Sequence, residues 1–131
     1  MIMGKYFTIK ELYKSSIANQ NDIDNRPNEE ITNNLLFIID KLDAIREEFG
    51  KPIYVNSGYR CPKLNNLVGG VENSAHLQGL AADITSSNNK RLFDLIKDNF
   101  EFDKLINEHN YSWIHIQFRP KNNRNIVLHI N

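Results

Sequence analysis

Ile31, Leu35, Ile38, Leu42, Ile45 and Phe49 recur at alternating intervals of four and three residues, and Leu36 and Ile39 widen the stripe. That is the period of one helix face. Pro27 suits the start of such a helix, where a missing N–H costs nothing, and Gly50 suits its end. The pattern predicts a long amphipathic scaffold helix between them. Leu92, Phe93, Leu95, Ile96 and Phe100 predict a second helix over 88–100. Thr8-Ile9-Lys10-Glu11 fits a capping box and predicts a short helix to about Ser16. Residues 61–67 predict one or two helical turns, stopped by Gly69-Gly70. Residues 18–27, ANQNDIDNRP, are polar and read as a loop that holds no core. The β-rich runs 51–57, 79–84, 102–108, 112–118 and 125–130 predict strands, with Asn122-Asn123 as a hairpin turn between the last two. Helices come first and mostly antiparallel strands later, which is an α+β layout: a small central antiparallel sheet with flanking helices.

Composition adds limits. The 131 residues suit one domain, 1–131, with one core. Lys plus Arg and Asp plus Glu number 16 each, so no net field draws the chain to nucleic acid or to an acidic membrane. No apolar run approaches the ~20 residues of a membrane span, so no insertion is expected. The start, MIMGKYFTIKELYK, lacks the apolar centre of a secretory leader because Lys5, Lys10 and Glu11 interrupt it. A protein made and kept in the cytoplasm is expected. Cys61 stands alone, which excludes an internal disulfide and a Cys-rich zinc site.

Two stretches carry candidate chemistry. In Ser112-Trp113-Ile114-His115-Ile116-Gln117-Phe118, strand alternation turns Ile114, Ile116 and Phe118 to the core and Trp113, His115 and Gln117 to the other face. His115 is then either aimed at a ligand or solvated. In SAHLQGLAAD, residues 74–83, Asp83 shares a strand face with the small Ala81. Gly79 allows a turn that folds His76 back toward Asp83. Asp is costly to bury without a partner, and a cation is one; a strand-end Asp capping a turn with Thr85 and Ser86 is the plainer alternative. Two imidazoles and a carboxylate are the ligand count of an open catalytic zinc site. An antiparallel return through His109-Asn110-Tyr111 would bring Glu108 close to Trp113 and His115, as a carboxylate able to take a water's proton. Arg60, after the Ser57-Gly58-Tyr59 turn, is a cation suited to a carboxylate or an oxyanion. His129 reads as structural or solvent-facing, and His109 as a turn residue.

The segment SGYRCPKLNNLVGGVENSAHLQGLAADI, followed by EHNYSWIHI, closely resembles the zinc D-alanyl-D-alanine carboxypeptidase family. That family includes phage and prophage cell-wall endopeptidases and shares its fold with the hedgehog signalling domain. The tight motif is Ser74-x-His76-x-x-Gly79-x-Ala81-x-Asp83 with Trp113-x-His115 downstream. YFTIKEL, the DNRP loop and FGKPIYVNSGYR extend the resemblance over nearly the whole chain. The resemblance implies one Zn2+ per chain held by His76, Asp83 and His115, with Glu108 as general base and Arg60 on the substrate. Ser74, Tyr59 and Trp113 are further substrate-binding candidates, although packing accounts equally for Tyr59 and Trp113. It implies a monomer that hydrolyses peptidoglycan stem peptides, as a carboxypeptidase or a phage-type endopeptidase, reaching the cell wall after release from the cytoplasm. A non-catalytic zinc-containing binding module of the same fold is the alternative. A ferrous oxygenase also uses two His and a carboxylate, but the strands are too few for its barrel.

Overall fold

A computed structural model describes residues 4–131; residues 1–3, the start of the stretch read for a leader, lie outside the described residues. The long stripe forms helix α3, Glu29–Phe49, with Asn28 accepting from the Ile31 N–H at one end and Gly50 closing the other. Its predicted face is the buried one: Ile31, Leu35, Ile38, Ile39, Leu42, Ile45 and Phe49. These pack in one cluster with Ala82, Ile84, Leu105, Ile114 and Ile116 of the sheet and with Leu92, Phe93 and Ile96, which belong to helix α5, Asn89–Asn99. Each fully buried aliphatic side chain contributes about 1.5–3 kcal/mol, so truncating Leu35 to Ala costs about 2–5 kcal/mol. The capping box opens helix α1, Ile9–Tyr13, and residues 62–67 form the short helix α4, Pro62–Leu67. No described helix is long and apolar enough to cross a membrane.

Among the described residues five strands form one sheet: β1 Ile53–Ser57, β2 Ala81–Ser86, β3 Lys104–Glu108, β4 Trp113–Gln117 and β5 Ile126–Ile130. Their order is β1-β2-β4-β3-β5. The pairs β1·β2, β2·β4 and β3·β4 are antiparallel. The last pair departs from expectation. β5 runs parallel to β3, so Asn122-Asn123 is not a hairpin turn between β4 and β5 but part of a connection that passes over β3. Asp103 anchors the crossing: its C=O accepts from Ile126 N–H, and its own N–H donates to the Gln117 carbonyl.

The polar stretch 18–27 is also more structured than its composition suggests. Ser15 caps helix α2, Ser16–Gln20, and Ala18 and Ile23 join Leu64 in a small second cluster. Two apolar side chains among ten residues leave no readable period, so the sequence pattern hides the core that this stretch does hold.

Candidate metal centre

One face of the sheet packs on α3. The opposite face of β2, β4 and β3 gathers the polar candidates. In the ladder, Asp83 pairs with His115 and Ala81 with Gln117; Ile106 pairs with His115 and Glu108 with Trp113. Paired residues share a face, so Asp83, His115, Trp113, Gln117 and Glu108 stand together, with the small Ala81 leaving space beside them. His76 arrives from outside the sheet. It lies in a 3-10 turn, Ala75–Gln78, that Ser74 caps and Gly79 ends at φ 71°. A side chain is strained at that φ, and a Cβ there would also crowd Ile31.

His76, Asp83 and His115 thus come together, with one donor atom from each lying within 4.8 Å of the others. His76 Nε2 is 3.4 Å and His115 Nδ1 3.1 Å from the same oxygen, Asp83 Oδ1. The outer nitrogens fix the tautomers. His76 Nδ1–H donates to the Gly58 carbonyl at 2.6 Å; a carbonyl only accepts, so the lone pair is on Nε2. His115 Nε2 lies 2.8 Å from Gln117 Oε1, which likewise leaves the lone pair on Nδ1. With both rings neutral and their outer N–H groups so engaged, two imidazole lone pairs and an anionic oxygen face one another with no donor among them. A cation resolves that arrangement, and outer nitrogens held by protein acceptors are the usual second layer around metal-bound histidines. The donor set suits zinc.

Without a cation, protons take its place between the three groups. Burial pushes the Asp83 carboxyl upward, but the hydrogen bonds and charge of His115 and His76 outweigh it and hold the group well below the usual carboxylate range. Burial lowers the His115 imidazolium, but Asp83, then Gln117 and Glu108, raise it above its ordinary value overall. Arg60 is lowered by burial, partly offset by the charge of Asp83, and remains a cation. Its Nη2 donates to Ser74 Oγ at 3.4 Å, while its buried Nε–H has no acceptor among the described residues.

The remaining candidates occupy distinct places. Ser74 is buried, and its hydroxyl serves the His76 N–H and Arg60. Tyr59 is buried in the main cluster and, with Ser57 and Arg60, walls a cleft of ≈610 Å³. A second hollow, ≈400 Å³, is walled by Ser74, Ile106, His115 and Gln117. Trp113 is half-buried, with the His109 ring 4.9 Å from its own. His109 does sit in the β3–β4 turn, at φ 49°. Glu108 is half-buried and makes no side-chain hydrogen bond among the described residues. His129 lies away from the cluster, where Asn107 bonds its Nδ1 at 3.1 Å.

Three supporting features escape sequence reasoning. Asn25, inside the stretch read as a coreless loop, donates to the carbonyls of Tyr13 and Tyr59 and accepts from Cys61 N–H, so it brackets Arg60. Gly58 is the second: a Cβ there would meet the Leu12 carbonyl oxygen at 2.1 Å, and a β-bulge between Val55 and Ser57 precedes it. That close approach turns its carbonyl to His76. The third is Asp103, which accepts from Gln117 Nε2 at 2.8 Å. Asp103 carries a weak signal, as a charge inside a predicted strand; the other two carry none.

Comparison with known proteins finds a family and a relative to which the chain is similar. The family described as Peptidase M15 matches residues 5–117. A zinc D-Ala-D-Ala carboxypeptidase of Streptomyces albus G is 48% identical over 52 residues, which are 39% of this chain and 20% of that protein. The matched segment is thus about a fifth of the relative's length.

Proposed function

We propose, from the premise that the chain belongs to the peptidase M15 family, that it is a zinc peptidase acting on peptidoglycan stem peptides. His76 Nε2, Asp83 and His115 Nδ1 hold the ion. The observation that carries this is the meeting of two imidazole lone pairs at Asp83 Oδ1, with an uncommitted carboxylate, Glu108, on the same sheet face. The similarity to the Streptomyces carboxypeptidase supports the choice of metal and substrate.

Zinc, when bound, supplies a water acidified to a pKa near ~7 and a polarised peptide carbonyl. The chain's own groups do the rest. Glu108 takes the proton of the attacking water and returns it to the leaving amine. Arg60, steadied by Ser74 and bracketed by Asn25, offers its guanidinium to a substrate carboxylate or to the oxyanion. Trp113, beside Glu108, and Tyr59, beside Arg60, border the path of the peptide. The protein acts as a monomer, released from the cytoplasm to the wall in the manner of phage lysis enzymes.

Digestion of purified muropeptides with mass analysis of the products tests the proposal. Loss of one terminal D-Ala identifies a carboxypeptidase, and release of cross-linked or stem fragments identifies an endopeptidase. Zinc-loaded protein that leaves every muropeptide intact refutes the hydrolase and favours the binding module.

A further inference from the structure

His115 can ligate at the Asp83 side only if its lone pair is on Nδ1, and the histidine cannot make that choice itself. Asp83 Oδ1, 3.1 Å from Nδ1, competes for the ring proton, and Gln117 draws it to the far side, since Oε1 lies closer, 2.8 Å from His115 Nε2. An amide is nearly symmetrical, however. Turned end for end, Gln117 would present its NH2 to Nε2, and the lone pair would move to the wrong side of the ring. What prevents the turn lies one step further out. Gln117 Nε2 donates to Asp103 Oδ2 at 2.8 Å, and an ionised carboxylate only accepts. The turned amide would set Oε1 against that oxygen.

Asp103 is built to stay ionised. Its side chain is 1% exposed. Arg124 donates from Nε (2.8 Å) and from its backbone N–H (3.3 Å) to Oδ1, and from Nη2 (2.7 Å) to Oδ2. Arg119 Nε adds a contact to Oδ1 at 3.3 Å. The Arg124 hydrogen bonds, helped by Gln117 and Arg119, outweigh burial and hold the carboxyl well below its usual range. Both arginines lie on the β4–β5 connection, so the unexpected parallel crossing brings the charge that orients the amide.

We propose that Gln117 and Asp103, braced by Arg124, are positioning residues that commit His115 to binding the metal through Nδ1. This rests on the metal reading above. Its chemistry is an acceptor on the far ring nitrogen, polarised by a buried anion, which fixes the tautomer and raises the basicity of the ligating nitrogen.

The test uses the full chain and two readouts. One is the imidazole ¹⁵N shifts of His115 in metal-free protein, at a pH that leaves the ring neutral. The other is the Zn2+ dissociation constant by chelator competition. Wild type should show Nε2–H. Gln117→Leu, close in volume, should give mixed ring protonation and zinc binding about 10–100-fold weaker. Gln117→Glu combined with Asp103→Asn still offers an acceptor to Nε2–H and an amide donor to the second carboxylate oxygen, and should restore the tautomer. Asp103→Asn can turn an N–H toward Gln117, which frees the amide, and should again give a mixture; it also serves if Gln117→Leu does not fold. A Gln117→Leu or Asp103→Asn protein that melts lower but keeps the wild-type tautomer and zinc affinity overturns the proposal, leaving a tie between strands. Wild type that binds no zinc overturns the metal reading instead, while the ¹⁵N shifts still decide the orientation.

Discussion

Glu108 stands opposite Trp113 in the β3–β4 ladder, two pairs beyond Ile106 and His115 and so on the same sheet face. On a shared sheet face such a diagonal spaces Glu108 and His115 by roughly 7–8 Å at the backbone, which leaves room for a water between the tips. Glu108→Gln keeps the shape and loses the proton acceptor. Turnover on muropeptides should fall about 10²- to 10⁴-fold, with zinc content by metal analysis unchanged. Near-normal turnover in this variant would move the base elsewhere. Asp103 is not a substitute, because its carboxylate is buried and committed to Arg124 and Gln117.

Zinc removal should be visible in stability as well as in activity. An ion that binds only the folded chain adds about 2.7 kcal/mol when free zinc is 100 times the dissociation constant. Chelator should therefore lower the melting temperature of wild type. His76→Ala, Asp83→Ala and His115→Ala should each melt at the same temperature with and without chelator. Full metal content in all three would refute the ligand set.

Arg60→Ala and Arg60→Lys separate two roles. The guanidinium has one N–H on Ser74 and another, buried, without an acceptor among the described residues. If the guanidinium serves substrate, both variants lose turnover and Lys does not restore it, because an ammonium cannot copy the planar fork. Melting measured alongside should change by about 1 kcal/mol or less, the worth of one ordinary hydrogen bond. A lowered melting temperature with normal turnover would make Arg60 a brace for the Ser74 turn.

Asn25 should prove costly to remove. Asn25→Leu leaves the Tyr13 and Tyr59 carbonyls and the Cys61 N–H without their partner. At about 1–3 kcal/mol for a stranded buried group, denaturant unfolding should show a loss of several kcal/mol at most. Muropeptide turnover should fall with it, because the bonds bracket Arg60. Unchanged stability would mean that water replaces the amide.

Asp103 gives a pH signature. Its folded carboxyl titrates below its unfolded value of about 3.9. The unfolded chain therefore takes up the proton first as pH falls. The stabilisation is complete above the unfolded value and is lost as pH drops toward the folded one. Thermal melts of wild type and Asp103→Asn should differ most at neutral pH and converge below about pH 4. A difference that does not depend on pH would show that the carboxylate's charge is not what matters.

Much of this was legible in the sequence where a single physical rule acts alone. The α3 stripe has no competitor for its period, and the buried face is the predicted one. Strand alternation turned His115 away from the core and set Asp83 beside Ala81, but only the ladder pairing puts the two on a common face. What escaped depends on partners distant in sequence. The parallel seat of β5 is set by Asp103, twenty-odd residues upstream, which no local turn pattern encodes. Asn25 looks like any loop asparagine until Tyr13, Tyr59 and Cys61 surround it. The tautomer of His76 depends on a backbone carbonyl, which has no letter in the sequence.

The Asp83–His115 pairing has a consequence for how the chain acquires its ion. The two are direct partners in the β2–β4 ladder, 32 residues apart in the chain. Side chains alternate from face to face, so a slip of one residue in that ladder would bury His115 among the aliphatic side chains and turn Ile114 or Ile116 outward. No partly registered sheet offers a diluted version of the centre. The unfolded chain has only scattered histidines and carboxylates to compete for metal. Capture of the ion is therefore a proofreading step on strand alignment, and zinc stabilises only the correctly aligned sheet.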